Sequence, residues 1–173
     1  MRRILTVFLV FVLLSAGFAL YQGVTFAPRV DPAEAAAPMT PNWLLAAPAG
    51  ADTAASAAVE APVWRATPLE VIAALDAVVL SEPRTERLSE GPGGGGAFGV
   101  DDALARTYLQ RSETIGYPDY ANVRAVPVET GGAPAASVIM LSRSVYGIGD
   151  AGVNQARVER WIAALDARFE RVE

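Results

Sequence analysis

Residues 4–28 form an uncharged run between Arg2–Arg3 and Arg29, and apolar side chains dominate it from Ile4 to Leu20. As a helix this apolar heart would span about 26 Å, and its extension to Phe26 about 35 Å, against a bilayer core of about 30 Å. The pattern predicts an N-terminal transmembrane helix through residues 4–26, with the two arginines holding its start in the cytoplasm. The competing expectation is a cleaved signal peptide, with Ile4–Leu14 as its apolar region and Gly17-Phe18-Ala19 as the cleavage site. Both readings export the remainder. They predict an inner-membrane, single-pass protein with a periplasmic domain, or a soluble periplasmic one after cleavage.

The pattern then changes three times. Residues 28–62 are rich in Ala and Pro with no sustained period, which predicts a spacer, with Trp43-Leu44-Leu45 as a docking point. Thr67-Pro68-Leu69-Glu70 is a capping box with Pro at the first helical position. Leu69, Ile72, Leu75 and Val79 carry that helix to about Leu80. From Arg84 to Val145 the period is two. It predicts strands at 84–90, 104–114, 122–128 and 136–145, with turns at Tyr117–Tyr120 and Gly131–Pro134 and a glycine-rich loop at Gly91–Gly99. After Gly152 a helical stripe returns at Val158, Trp161, Ile162, Leu165 and Phe169. The predicted class is α+β: an antiparallel sheet of about four strands with two helices on one face, plus the transmembrane helix. The expected packing sets Trp161, Leu165 and Phe169 on Ile139 and Leu141. Domain limits follow as 1–28 anchor, 29–62 spacer and 63–173 exported domain.

Composition narrows the chemistry. The 173 residues include no His and no Cys, the basic residues are all Arg, and the net charge is −5. Disulfides, Cys–His and Ser–His dyads, His/Cys metal sites and lysine Schiff bases are excluded. The acidic balance argues against nucleic acid as a partner. No cofactor is expected. Gly147-Ile148-Gly149-Asp150-Ala151-Gly152 matches a dinucleotide fingerprint in letters, but a second parallel strand with an acid must follow the helix, and the sequence runs only to Glu173.

The same loop carries a resemblance. Ser142-Arg143-Ser144, Tyr146-Gly147, Asp150, Gly152-Val153-Asn154, Arg157-Val158-Glu159 and Trp161 resemble the C-terminal signature of the uncharacterised bacterial family called domain of unknown function 1499. Leu109–Ser112, Gly116–Tyr120 and Val123–Val126 resemble its middle block, and Pro41-Asn42 with Leu44-Leu45 its opening block. Two positions depart from the family pattern: Val145, where a second Arg is usual, and Gly149, where a Ser is usual. The resemblance implies a fold and an envelope location, often with an N-terminal anchor, and no activity.

The candidate binding or structural cluster is Arg143, Asp150, Asn154, Arg157, Asp119, Arg124 and Tyr117. Asp150 and Asn154 are both candidate helix caps, and Asn154 is the expected N-cap because Val153 and Val158 would form its staple. Arg157 then falls in the first turn, where the helix dipole disfavours a cation and an anion is needed nearby. The expected anion is Asp150, making the loop a self-satisfied latch; the alternative is a bound ligand. Arg143 shares a face with Ile139, Leu141 and Val145 and needs a partner, for which Asp119 and Asp150 are the candidates. Tyr108, Tyr117, Tyr120 and Tyr146 are expected to pack in the core or at its rim; the alternative is that they line a shallow pocket. The expected function is a non-enzymatic, membrane-tethered envelope domain with a structural role or one of binding an envelope protein or a small anionic ligand at loop 142–157. The alternative is an envelope hydrolase using Asp119 or Asp150.

Overall fold

The computed structural model describes residues 6–15, 30–90, 102–114, 116–147 and 149–172. Its centre is a six-stranded mixed sheet with the order β2-β1-β6-β5-β4-β3. The strands are β1 (Trp43–Ala47), β2 (Val59–Glu60), β3 (Thr85–Glu90), β4 (Ala105–Arg111), β5 (Pro118–Pro127) and β6 (Ala136–Ser144). Only β1 and β2 run parallel; the other neighbours are antiparallel. A short helix α1 (6–15) precedes the sheet, α2 (Pro68–Val79) lies between β2 and β3, and α3 (Val153–Asp166) follows β6.

Two expectations are corrected here. The sheet has six strands rather than about four, because residues read as a spacer contribute β1 and β2. Leu45 and Ala46 are fully buried, and Ala58 and Ala61 donate backbone hydrogen bonds to Leu45 and Ala47. The transmembrane helix and signal-anchor are the second correction. Helix α1 is ten residues where described, about 15 Å long and half of a bilayer core. Among the described residues no helix is long and apolar enough to cross a membrane. Residues 4, 5 and 16–28 of the uncharged run, the 91–99 glycine loop and Ile148 lie outside the described residues.

The sheet is apolar on both faces, as the burial of every residue from Ala136 to Arg143 requires. On one face Ala46, Val123, Ala125, Val138 and Met140 pack against Val71, Ile72, Leu75 and Val79 of α2 and Val158, Trp161 and Leu165 of α3. On the other, Leu45, Ile139 and Leu141 are covered by Ala55 and, more loosely, by Val30, Ala33 and Ala51. The helices therefore sit on Val138 and Met140, not on Ile139 and Leu141 as expected. Strand parity explains the difference: with both faces apolar, nothing in the pattern of β6 says which face meets the helices.

Local chemistry sets the start of α2. Thr67 Oγ1 accepts from the Glu70 backbone N–H at 3.3 Å, and Glu70 returns the bond to the Thr67 N–H at 2.8 Å. The box is present as the sequence implies, although Leu69 is exposed rather than part of the buried stripe. Helix α3 ends at Asp166, so Phe169 packs on the core from beyond the helix. Trp64, fully buried, bridges to Ala136 and Arg171 and donates its indole N–H to Asp166 at 2.9 Å.

Trp161 lies at the centre of the helix face, edge-on to Tyr108 with ring centroids 5.9 Å apart. Its indole N–H donates to Glu82 at 2.9 Å. Trp161→Ala is expected to cost about 3–5 kcal/mol in chemical unfolding, the range for emptying a large buried aromatic site. A loss under about 1 kcal/mol, typical of surface positions, would contradict this account of the core.

Candidate functional site

Successive cross-strand rows on the helix face turn from apolar to polar toward one end of the sheet. Val123 stands opposite Met140, then Ala121 opposite Ser142 and Tyr108, then Asp119 opposite Ser144 and Gln110. Since side chains alternate, all of these point toward α2 and α3. The first turns of α3 close over the polar rows, and Arg157 descends into them.

Arg157 is only 2% exposed. Its Nε donates to Gln110 Oε1 at 2.8 Å, and Nη1 donates to Ser142 Oγ at 2.8 Å and to Asn154 Oδ1 at 2.9 Å. Nη2 donates to Asp119 Oδ2 at 2.7 Å. The Ser142 hydroxyl in turn donates to Asn154 Oδ1 at 2.7 Å. The Asn154 amide donates to the Asn42 carbonyl at 2.8 Å, and the Asn42 side chain donates to the Ser144 and Gly147 carbonyls at 3.1 Å each. On the other side, Gln110 donates to Glu82 at 2.7 Å, and Glu82 takes both an Arg160 pair and the Trp161 indole N–H. A continuous polar lattice therefore joins the α2–β3 connection, β4, β5, β6, α3 and the residue before β1.

Asp150 has the separate task of capping α3. Its carboxylate accepts the N–H groups of Gly152 at 3.1 Å and Asn154 at 2.8 Å. Burial raises this carboxyl, but those two N–H groups outweigh it and leave it below the ordinary aspartate range. The helix itself begins after Gly152, which holds a left-handed conformation at φ 81°. Asn154 is thus not the N-cap. It is the second helical residue, fully buried and turned to the sheet.

The seven candidate residues divide between the two faces of the sheet. Asp119, Asn154 and Arg157 meet in the lattice, with Asp150 at its edge. Arg157 finds its carboxylate in Asp119 and not, as expected, in Asp150, because Tyr117–Tyr120 is not a turn. The strand starts at Pro118, which places Asp119 beside Gln110 and Ser144. Arg143 and Arg124 lie on the opposite face. Arg124 pairs there with buried Asp31. Arg143 stands opposite Trp43 and Tyr120; burial pulls its guanidinium down to about 10, with Tyr120 opposing. Tyr117 packs on Tyr146 with ring centroids 5.0 Å apart. Of the other tyrosines, Tyr108 is a core residue donating to Asp76 at 2.8 Å.

Glu82, Gln110 and Asn42 escape a reading of the residues for chemistry. Gln110 has a signal in hindsight, lying on the same alternating face as Arg106 and Tyr108. Glu82 has none. A cleft of about 840 Å³ opens onto the lattice, floored by Glu82, Gln110, Asp119 and Arg157 and rimmed by Arg84, Tyr117 and Tyr146. Among the described residues, the two non-glycines with left-handed backbone, Arg84 (φ 56°) and Ala151 (φ 51°), both border it. No family model matches the chain, and neither a curated protein nor a solved structure shows significant similarity to it.

Two outcomes follow for the lattice. Arg157→Ala is expected to cost about 3–5 kcal/mol, because it empties a buried site and leaves the partly buried Asp119 and the buried Ser142 and Asn154 without their shared donor. Arg157→Lys should rescue little of it, since a single ammonium cannot reach four acceptors. Equal unfolding midpoints for wild type and Arg157→Ala would rule the latch out.

The pH dependence has a definite sign. Burial raises Glu82 too, but the bonds from Arg160, Gln110 and Trp161 outweigh it and hold the carboxyl below its usual range. Asp166 is held down in the same direction, mainly by Arg171. The unfolded chain then binds more protons in acid than the folded one, so these groups stabilise above their unfolded values and the contribution is lost as pH falls through the folded ones. With no His or Cys to titrate, stability should be flat from about pH 5.5 to 8 and decline below about pH 4.5. Thermal unfolding across that series checks it; a steep change between pH 6 and 8 would contradict it.

Proposed function

We propose that this chain is an exported, non-enzymatic binding domain, with the latch as its rigid floor and the cleft above it as the place where a ligand or partner docks. The observation that carries this is the state of the cleft's ionisable groups. Asp119 is tied to Arg157, Glu82 to Arg160, and Asp150 to the start of α3. A general acid needs a carboxyl kept protonated near neutral pH, and Glu82 and Asp150 are shifted the other way. That arrangement argues against the hydrolase alternative through Asp119 or Asp150. Pre-oriented, mutually held polar groups suit recognition, where their positions need not change during the event.

Export is supported by the uncharged run after Arg2–Arg3 and by the exposed apolar side chains of α1, such as Phe8 and Phe11. The apolar region Ile4–Leu14 has the length of a signal-peptide core. The envelope location agrees with the resemblance to domain of unknown function 1499, which we take as the working family.

The experiment uses the full chain. A panel of chromogenic ester, phosphate and glycoside substrates is expected to show no turnover above blank. Turnover abolished by Asp119→Asn or Asp150→Asn would overturn the non-enzymatic reading. In parallel, a reporter active only outside the cytoplasm, fused after Glu173, is expected to be active; an inactive fusion with full expression would refute export.

A further inference from the structure

The cleft's own chemistry narrows its ligand to one class, an inference that rests on the binding reading above. Its lining carries four guanidinium groups, on Arg84, Arg111, Arg157 and Arg160. Against them stand four carboxylates, on Glu82, Glu113, Asp119 and Asp150. The charges cancel, so the cleft has no net charge to favour a phosphate-rich ligand or a polycation. It is nevertheless dense in polar atoms of two strict kinds. Guanidinium groups only donate and ionised carboxylates only accept. A hydroxyl group does both, and so can bridge a neighbouring donor and acceptor without bringing charge of its own.

The second observation is the tyrosine pair. Tyr117 and Tyr146 are tilted at 43° to one another, and Tyr117 is 47% exposed. They present aromatic surface at the mouth of an otherwise polar cleft, next to hydrogen-bonding groups that are already held in place. The backbone beside both tyrosines is in turn geometry, with Gly116 at φ 76° and Gly147 at φ 101°. At Gly147 a side chain would meet the Gly149 carbonyl at 3.2 Å, so this close approach and the positive φ both call for glycine.

We propose that the cleft binds a neutral oligosaccharide, with the C–H face of one pyranose against Tyr117 and its hydroxyls bridging the exposed acids and arginines of the rim, Arg84, Glu113 and Arg160, above the latch. Both halves of such a ligand are matched: an apolar ring face and a belt of groups that donate and accept. A peptide fits less well. The strands that line the cleft, β4, β5 and β6, are each paired on both sides, so none offers an edge for an extended chain to join.

The test titrates the full chain with a panel of neutral gluco-, manno-, galacto- and N-acetylhexosamine trisaccharides, followed by calorimetry and amide chemical shifts. At least one is expected to bind at concentrations up to about 10 mM, with shifts clustered at 112–119 and 144–153. Tyr117→Ala should weaken that binding by about tenfold or more while leaving the chain folded, with amide shifts away from the cleft unchanged, and Tyr117→Phe should retain it. Silence across the whole panel, or binding indifferent to Tyr117→Ala, would overturn the proposal. Inorganic phosphate or an acidic peptide binding in the cleft where no sugar does would overturn the ligand class while leaving a binding domain. A trisaccharide recovered shortened after incubation would keep the ligand class and sink the non-enzymatic reading instead.

Discussion

Burying a guanidinium costs several kcal/mol unless its N–H groups find acceptors in the right directions, and Arg157 is almost wholly buried. The rest of the structure is arranged around meeting that demand. The acceptors come from one end of the sheet and from α3 itself: Gln110 near the end of β4, Asp119 at the start of β5, Ser142 near the end of β6 and Asn154 one turn back. Each strand must therefore end in one register, because a one-residue slip would turn its acceptor to the other face. Apolar packing alone would tolerate α3 sliding along the sheet by a fraction of a turn. Four directed bonds to a planar group would not.

The second face of the sheet answers a different constraint. A strand buried on both faces cannot lie at the surface, so β6 needs cover on the side away from the helices. The chain before α2 supplies it. β1 pairs with β6, Ala33 and Ala54 join by a backbone bond of 2.8 Å, and the Asp31–Arg124 pair fastens the segment across the strands. What looks like tether by composition is thus one wall of the fold. Only 31 of its residues lie between Val30 and Glu60, yet they hold the core cluster around Leu45 and Leu141 together.

How much of this is legible in the sequence depends on how local the cause is. The capping box at Thr67, the stripe at Val158, Trp161 and Leu165 and the strand at 136–144 rest on neighbouring residues and can be read directly. β1 cannot: Trp43–Ala47 is short, Ala-rich and without alternation, and it is a strand because β6 is beside it. Tyr117-Pro118-Asp119-Tyr120 has turn composition, but Pro is equally at home as the first residue of a strand, and only the sheet decides between them. That single choice determines whether Asp119 is a loop acid or the partner of Arg157. At the site, the need of Arg157 for an anion is legible from its place near a helix start, whereas the identity of the anion depends on strand register. The transmembrane expectation rested on hydropathy over residues 4–26, and the described helix covers ten of them.

The polar character of the latch also bears on what the cleft does. A buried ion pair is seldom more stabilising than an apolar plug of the same volume. Stability therefore does not explain why this end of the core is built from Asp, Arg, Gln, Asn and Ser while the other end is built from Val, Leu and Trp. Position does. The polar rows lie at the sheet end that opens into the cleft, so the groups that lock α3 to the strands also form the cleft floor. Held by one another, Glu82, Gln110, Asp119 and Arg157 keep fixed directions whether or not anything lies above them. Ordering such side chains at the moment of binding would cost about 0.5–1.5 kcal/mol each, and here folding has already met that cost. The ion pairs and hydrogen bonds that lock α3 to the strands thereby also fix the pattern of donors and acceptors along the cleft floor.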